Sequence, residues 1–166
     1  GGITTLEDKS LGCVQKGGTA DVCGVMAYGE RIRDTLSSCE LRHSETSDAA
    51  QTGCSGLYLL EGPGNDIVST TAMTAAGAHI ILFTTGRGTP LGAPVPTIKI
   101  STTEALAKKK PSWIDFDASL ILSKDPEEVQ KKLFELIVKT ADGEYKTCNE
   151  KNEYREIAIL KDGVTL

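Results

Sequence analysis

The sequence predicts an α/β protein: an open, mostly parallel, Rossmann-like sheet with flanking helices. Three observations carry this expectation. Two short apolar runs, Leu57-Tyr58-Leu59-Leu60 and His79-Ile80-Ile81-Leu82-Phe83-Thr84, bracket a single helical segment. A third run, Thr97-Ile98-Lys99-Ile100, follows one short loop later. A strong helix start, Asp125-Pro126-Glu127-Glu128, comes further on. Short strands alternating with helices through short links are the pattern of a parallel sheet.

In chain order, residues 3–16 read as a short helix. A Thr4/Glu7 or Thr5/Asp8 capping pattern opens it and Gly17-Gly18 closes it. Residues 21–33 read as a second helix, with Val22, Val25, Met26 and Ile32 on one side. Residues 34–56 are polar, rich in Ser and Thr, and weakly periodic, and read as a loop or mobile insertion. After the 57–60 strand, Asn65 is placed to cap a helix whose apolar side carries Val68, Ala72, Ala75 and Ala76, with Gly77 as its stop. The 79–84 run is nearly continuous in apolar residues, as expected of a strand covered on both faces. Strand, helix and strand would then form one βαβ unit. Thr102 or Thr103 caps a short helix before Lys108-Lys109-Lys110-Pro111, a solvated helix end. Trp113-Ile114-Asp115-Phe116 reads as a fourth strand. Beyond the Asp125-Pro126 start, Val129, Leu133, Leu136 and Ile137 form a buried stripe, ended by Asp142-Gly143. Residues 156–160 read as a final strand. The expectation is one domain over residues 1–166.

Composition narrows the function classes. With 166 residues, 39% apolar and 25% charged, the chain is an ordinary globular domain. Such a chain buries roughly 70% of the surface its unfolded form exposes. A net charge of −5 argues against a nucleic-acid partner. No apolar run approaches the ~20 residues of a membrane span, so no membrane partner is expected. The start, Gly1-Gly2-Ile3-Thr4, has neither a secretory n-region nor an initiator Met, and reads as lying inside a longer chain. Five cysteines, an odd number with no Cys-x-x-Cys, fit a reducing, cytoplasmic compartment better than a disulfide framework. Their spacing supports neither a structural zinc site nor an iron–sulfur cluster. No Gly-x-Gly-x-x-Gly supports a dinucleotide site.

In open α/β sheets, ligands bind outside the carboxyl ends of the strands. One such loop presents Gly64, Asn65 and Asp66 at a helix start, with Thr70 one turn on. The next presents Thr84, Thr85, Gly86 and Arg87. Backbone N–H groups, hydroxyls and a guanidinium suit an anionic, hydroxylated ligand. Each feature also has a structural reading, as a ligand-free helix start or a strand end. Arg87 between two glycines is the hardest to explain that way, because flexible backbone around a cation marks close ligand approach. His43 and His79 read as structural or incidental.

Several long strings carry a resemblance to one family. They are Gly2-Ile3-Thr4-Thr5-Leu6-Glu7-Asp8-Lys9-Ser10-Leu11-Gly12-Cys13-Val14-Gln15-Lys16-Gly17-Gly18, Pro63-Gly64-Asn65-Asp66-Ile67-Val68-Ser69-Thr70-Thr71-Ala72, Phe83-Thr84-Thr85-Gly86-Arg87-Gly88-Thr89-Pro90 and Val95-Pro96-Thr97-Ile98-Lys99. Trp113-Ile114-Asp115-Phe116 and the ending from Tyr154-Arg155-Glu156 to Leu166 belong with them, and together these strings resemble the altronate/galactarate dehydratases. The match is to the carboxyl-terminal portion of a longer enzyme, and it departs around residues 34–56. The resemblance implies a hydro-lyase that removes water from a six-carbon sugar acid to give a 2-keto-3-deoxy acid. It implies a divalent metal, iron or manganese, whose ligands it does not identify. Partners would be the sugar acid and the missing amino-terminal and middle regions, and a homo-oligomer stays open. On this reading Arg87 clamps the carboxylate, Lys9, Lys16 and Lys99 are unranked candidates for base or acid, and Asp66 contacts a hydroxyl or the metal. Alternatives are a non-catalytic sugar-acid binding module and the related lyase that expels sulfite from sulfolactate.

Overall fold

The structure, a computed structural model, describes residues 22–32, 57–62 and 64–159. The expected helix over 3–16 and the expected loop over 34–56 lie outside the described residues. The chain separates into two compact units, Gly1–Gly77 and Ala78–Leu166. Among the described residues every strand pair is parallel, which is the expected open α/β class.

In the first unit, strand β1 (Val22–Met26) pairs with β2 (Leu57–Leu60). The expected helix over 21–33 is therefore corrected. Val22, Val25 and Met26 mimic a helical stripe, but Val-Cys-Gly-Val is β-branched and glycine-bearing, a poor helix former. The partner strand lies some thirty residues further along, where no local period can register it. Met26 is buried, Val25 is exposed, and the Glu61 N–H extends the ladder to the Met26 carbonyl at 2.9 Å. Helix α1 (Asp66–Ala76) follows as expected. Asn65 caps it, its side chain accepting from the Ile67 N–H, and Gly77 closes it at φ 110°. That left-handed geometry is easy only for glycine.

In the second unit, β3 (Ile81–Thr85), β4 (Thr97–Ser101) and β5 (Phe116–Asp117) form a sheet in the order β3-β4-β5. The segments of the expected βαβ unit are divided between the two units, β2 and α1 in the first and β3 in the second. The expectation that the 79–84 run is covered on both faces is also corrected. Among the described residues β3 is an edge strand with alternating burial, and Leu82 is 48% exposed. The strand buried at every position is β4, despite its polar sequence Thr-Ile-Lys-Ile-Ser. Sheet position, with a neighbour on each side, decides burial here more than apolar content.

Helix α2 (Glu104–Lys109) is capped by Thr103. Its basic end is solvated as expected: Lys108 pairs with Glu104, and Lys110 lies over the Trp113 ring. The expected strand 113–116 shrinks to Phe116–Asp117, since Trp113 closes a turn onto the Lys110 carbonyl. A 3-10 turn (Ala118–Leu122) leads to helix α3 (Pro126–Ala141). Its start is the expected one: Asp125 as cap, Pro126 first, Glu127 and Glu128 in the first turn. Val129 is the buried anchor of its stripe. Helix α4 (Cys148–Lys151) opens with a reciprocal capping box between Thr147 and Glu150. The expected final strand does not form over 156–159. Ile157 and Ile159 stay exposed, and the segment is held at Glu156 by Gly92.

Candidate functional site

The parallel order of β3, β4 and β5 puts their carboxyl ends, Thr85, Ser101 and Asp117, on one edge of the second unit. The loop 86–92 leaves from β3 there. Thr84 and Arg87 are exposed, and the Arg87 guanidinium makes no hydrogen bond or ion pair among the described residues. Thr85 Oγ1 accepts from the Gly88 N–H at 3.0 Å, which folds the loop back over the strand end. Gly88 sits at φ 83°, and a Cβ there would lie 2.7 Å from Leu106 Cδ1. Glycine is therefore required next to Arg87 both by conformation and by space. Across from it, Ser101 Oγ donates to the Thr103 carbonyl at 2.7 Å, and Ser119 Oγ donates to Asp117 Oδ1 at 2.6 Å.

Beneath the loop lies Lys99, on β4, fully buried. Its Nζ donates to the Thr89 carbonyl, so the candidate acid or base is bonded to the loop that carries Arg87. Burial lowers the proton affinity of this amine to about 8, against partial opposition from the negative charges of Glu156 and Asp115 and from Cys148. An amine poised there exchanges protons near neutral pH, as acid–base catalysis requires. Asp115 fixes its backbone: Oδ2 accepts from the Lys99 N–H at 2.8 Å, while the Asp115 N–H donates to the Lys99 carbonyl at 2.9 Å. Asp115 Oδ1 accepts from Tyr145 Oη at 2.9 Å and from the Cys148 N–H at 2.7 Å. Burial, reinforced by Asp115, raises the Tyr145 hydroxyl well above its ordinary range and pushes the Cys148 thiol up to about 11. Both stay protonated and serve as donors and core groups, not as nucleophiles.

The loop's far end is tied to the carboxyl-terminal segment. The Gly92 N–H donates to Glu156 Oε2 at 2.6 Å, and the Glu156 N–H donates to the Gly92 carbonyl at 2.7 Å. Asn149 Nδ2 donates to the Leu91 carbonyl at 3.1 Å. Asn149 also lines a cavity of about 150 Å³ with residues 93–96, Tyr154 and Arg155.

The other sequence candidates fall elsewhere. Asn65, Asp66 and Thr70 belong to the first unit, Thr84, Thr85, Arg87 and Lys99 to the second. Asn65 and Asp66 are exposed at the start of α1. Thr70 is buried, and its hydroxyl donates back to the Asp66 carbonyl at 2.9 Å. Lys9 and Lys16 lie outside the described residues. Sequence reasoning missed Asp115, Tyr145, Asn149 and Glu156 as members of this arrangement. For Asp115 and Glu156 a signal existed, since both stand in strings that carry the family resemblance. Among the described residues no group of three or more His, Cys, Asp or Glu could hold a metal ion, so these residues alone do not fit the expected divalent metal. No helix among them is long and apolar enough to cross a membrane.

The fold defines the class, an open α/β protein with parallel strands in small sheets flanked by helices. The family model for D-galactarate/Altronate dehydratase, C-terminal, matches residues 1–165, and the chain belongs to that family. It is 49% identical over its full length to altronate dehydratase of Escherichia coli (strain K12) and 44% identical to that of Bacillus subtilis (strain 168). It is 31% identical, over 90% of its length, to galactarate dehydratase (L-threo-forming) of Escherichia coli (strain K12). The chain spans 30% of the length of both altronate dehydratases and 25% of the galactarate enzyme.

Proposed function

We propose that this chain is the carboxyl-terminal part of a sugar-acid hydro-lyase that removes water from altronate to give a 2-keto-3-deoxy acid. The observation that carries the chemistry is that one loop carries an exposed guanidinium, Arg87, and is bonded at its Thr89 carbonyl by the buried Lys99 amine of β4. Higher identity to the altronate dehydratases than to the galactarate enzyme supports altronate as the substrate.

Taking the proton beside a carboxylate builds negative charge on that carboxylate, so a group must hold it. Arg87 is the clamp, since a guanidinium binds a carboxylate in a two-pronged fashion. Thr84 is placed to take a sugar hydroxyl. The proton leaves C2 to a base, the C3–O bond breaks as an acid protonates the departing hydroxyl, and the resulting enol becomes the 2-keto group. Lys99 is the one described candidate for either proton transfer, with Lys9 and Lys16 as the others. The divalent metal, iron or manganese, draws its ligands from outside the described residues. The reaction is cytoplasmic and needs the remaining regions of the enzyme.

The test is keto-acid release by the complete enzyme on altronate, galactarate and sulfolactate, beside the isolated chain. Turnover of altronate by the complete enzyme alone is the expected result. Preference for galactarate or sulfolactate would reassign the substrate. Binding of a sugar acid without turnover would make the domain a binding module.

A further inference from the structure

We propose that Glu156 is a positioning residue for this reaction: it holds loop 86–92, and with it Arg87, in its substrate-binding shape. The inference rests on the reading of Arg87 as the carboxylate clamp.

Glu156 is bonded to Gly92 twice, its carboxylate taking the Gly92 N–H at 2.6 Å and its own N–H giving to the Gly92 carbonyl at 2.7 Å. A main chain gripped in both directions by one residue can neither slide nor rotate without losing a bond. The approach is close as well: a Cβ on Gly92 would lie 2.3 Å from the Tyr154 carbonyl oxygen. Two further anchors act on the same loop, Asn149 at the Leu91 carbonyl and Lys99 at the Thr89 carbonyl. Thr89, Leu91 and Gly92 are thus pinned in sequence, while Arg87 at the loop's other end is exposed. Such a loop pays little ordering cost when a ligand arrives, because its shape exists beforehand. Glu156 contributes a charge-assisted bond, the stronger kind, as a protonated Lys99 does at Thr89. It is also the anchor whose partner lies 64 residues away in the chain.

The experiment is a double-mutant cycle in the complete enzyme, with altronate as substrate and Arg87→Lys and Glu156→Ala as the two changes. Glu156→Ala is expected to raise KM about tenfold or more, the scale of a small misplacement at a binding group. The two changes should be non-additive, because both act on the same contact. Tryptic cleavage after Arg87 should also be faster in Glu156→Ala, a readout independent of turnover. Should that variant fail to fold, Glu156→Gln keeps the shape and loses the charge, and a KM rise of about two- to threefold is expected. An impaired Arg87→Lys with a Glu156 effect that simply multiplies onto it would overturn the positioning role alone. Folded Glu156 variants with wild-type KM and wild-type resistance to trypsin would do the same. An Arg87→Lys enzyme indistinguishable from wild type would remove the clamp reading, and this inference with it.

Discussion

The loops that follow β2 and β3 are built from similar residues and held in opposite ways. Both leave a parallel strand, both carry glycine, and both were expected to present ligand-binding groups. The first starts on the sheet, where the Glu61 N–H bonds the Met26 carbonyl, and ends on its own helix: Asn65 bonds Ile67 two residues on, and the Ser69 N–H bonds the Asn65 carbonyl. The second, 86–92, is tied to Lys99, Asn149 and Glu156, which lie on other elements. Local anchoring makes a helix start that forms wherever its few residues occur. Distant anchoring makes a shape that exists only when the whole unit is folded, and that is the kind of shape on which a positioned cation depends.

The largest expected effect tests the distant anchoring directly. Gly92→Ala would place a methyl 2.3 Å from the Tyr154 carbonyl oxygen, a backbone atom that cannot swing aside. Thermal unfolding should show a loss of about 3 kcal/mol, the upper part of the range for overpacking. A loss below about 0.5 kcal/mol would mean that loop and carboxyl-terminal segment part easily, and the contrast between the two loops would disappear.

The second effect concerns Lys99 and pH. Its folded affinity is depressed to about 8 from 10.5. Between those values the unfolded chain holds a proton that the folded chain has released. Stability therefore rises with pH across that window and stays flat below it. Cys148 and Tyr145 act in the opposite sense: their folded affinities are raised, so the unfolded chain ionises first above about pH 9 and stability falls. Comparing wild type with Lys99→Met isolates the lysine. The stability difference should move in favour of wild type by on the order of 2 kcal/mol from pH 8 to 10.5. A constant difference would show that the amine is not held in a charge-disfavouring site.

Third in size is Arg87→Lys, which keeps the charge and loses the fork. It should lower kcat/KM of the complete enzyme by about tenfold or more, while stability stays within about 0.5 kcal/mol, as for exposed loop positions. A lower melting temperature with unchanged kcat/KM would make Arg87 a brace instead of a clamp.

The same contrast explains what could be read from the sequence. Asn65, Thr103 and Asp125 announce their helices because the cap, the first turn and the stripe all lie within a few residues of one another. β1 was misread because its partner β2 lies far along the chain, while Val22, Val25 and Met26 keep a helical spacing nearby. β3 was expected to be the covered strand because it is apolar, yet coverage depends on which strand is central, and that is β4. Arg87 stood out through its flanking glycines, a local signal. Lys99 entered only through the family resemblance. The anchor Asn149 has no signature in the sequence, and Glu156 is marked only by its place in a string that carries the family resemblance, since the carbonyl and amide groups they hold carry no residue type to be recognised.

The smallest effect tests the locally anchored loop and separates two roles of one residue. Asn65 caps α1 through its side-chain oxygen, which accepts from the Ile67 N–H at 3.2 Å. It was also expected to contact substrate. Serine caps a helix about as well as asparagine, whereas alanine cannot, and losing a cap costs about 1 kcal/mol. Asn65→Ala should therefore destabilise the first unit by about that amount, and Asn65→Ser should not. The amide is absent from both variants. If Asn65 is only a cap, Asn65→Ser retains wild-type kcat/KM on altronate. If its amide holds a sugar hydroxyl, Asn65→Ser loses affinity at full stability, because a substrate hydroxyl is left without its partner. The second outcome would show that a locally built helix start also serves the site, and that the difference between the two loops lies in how they are held and not in whether they bind.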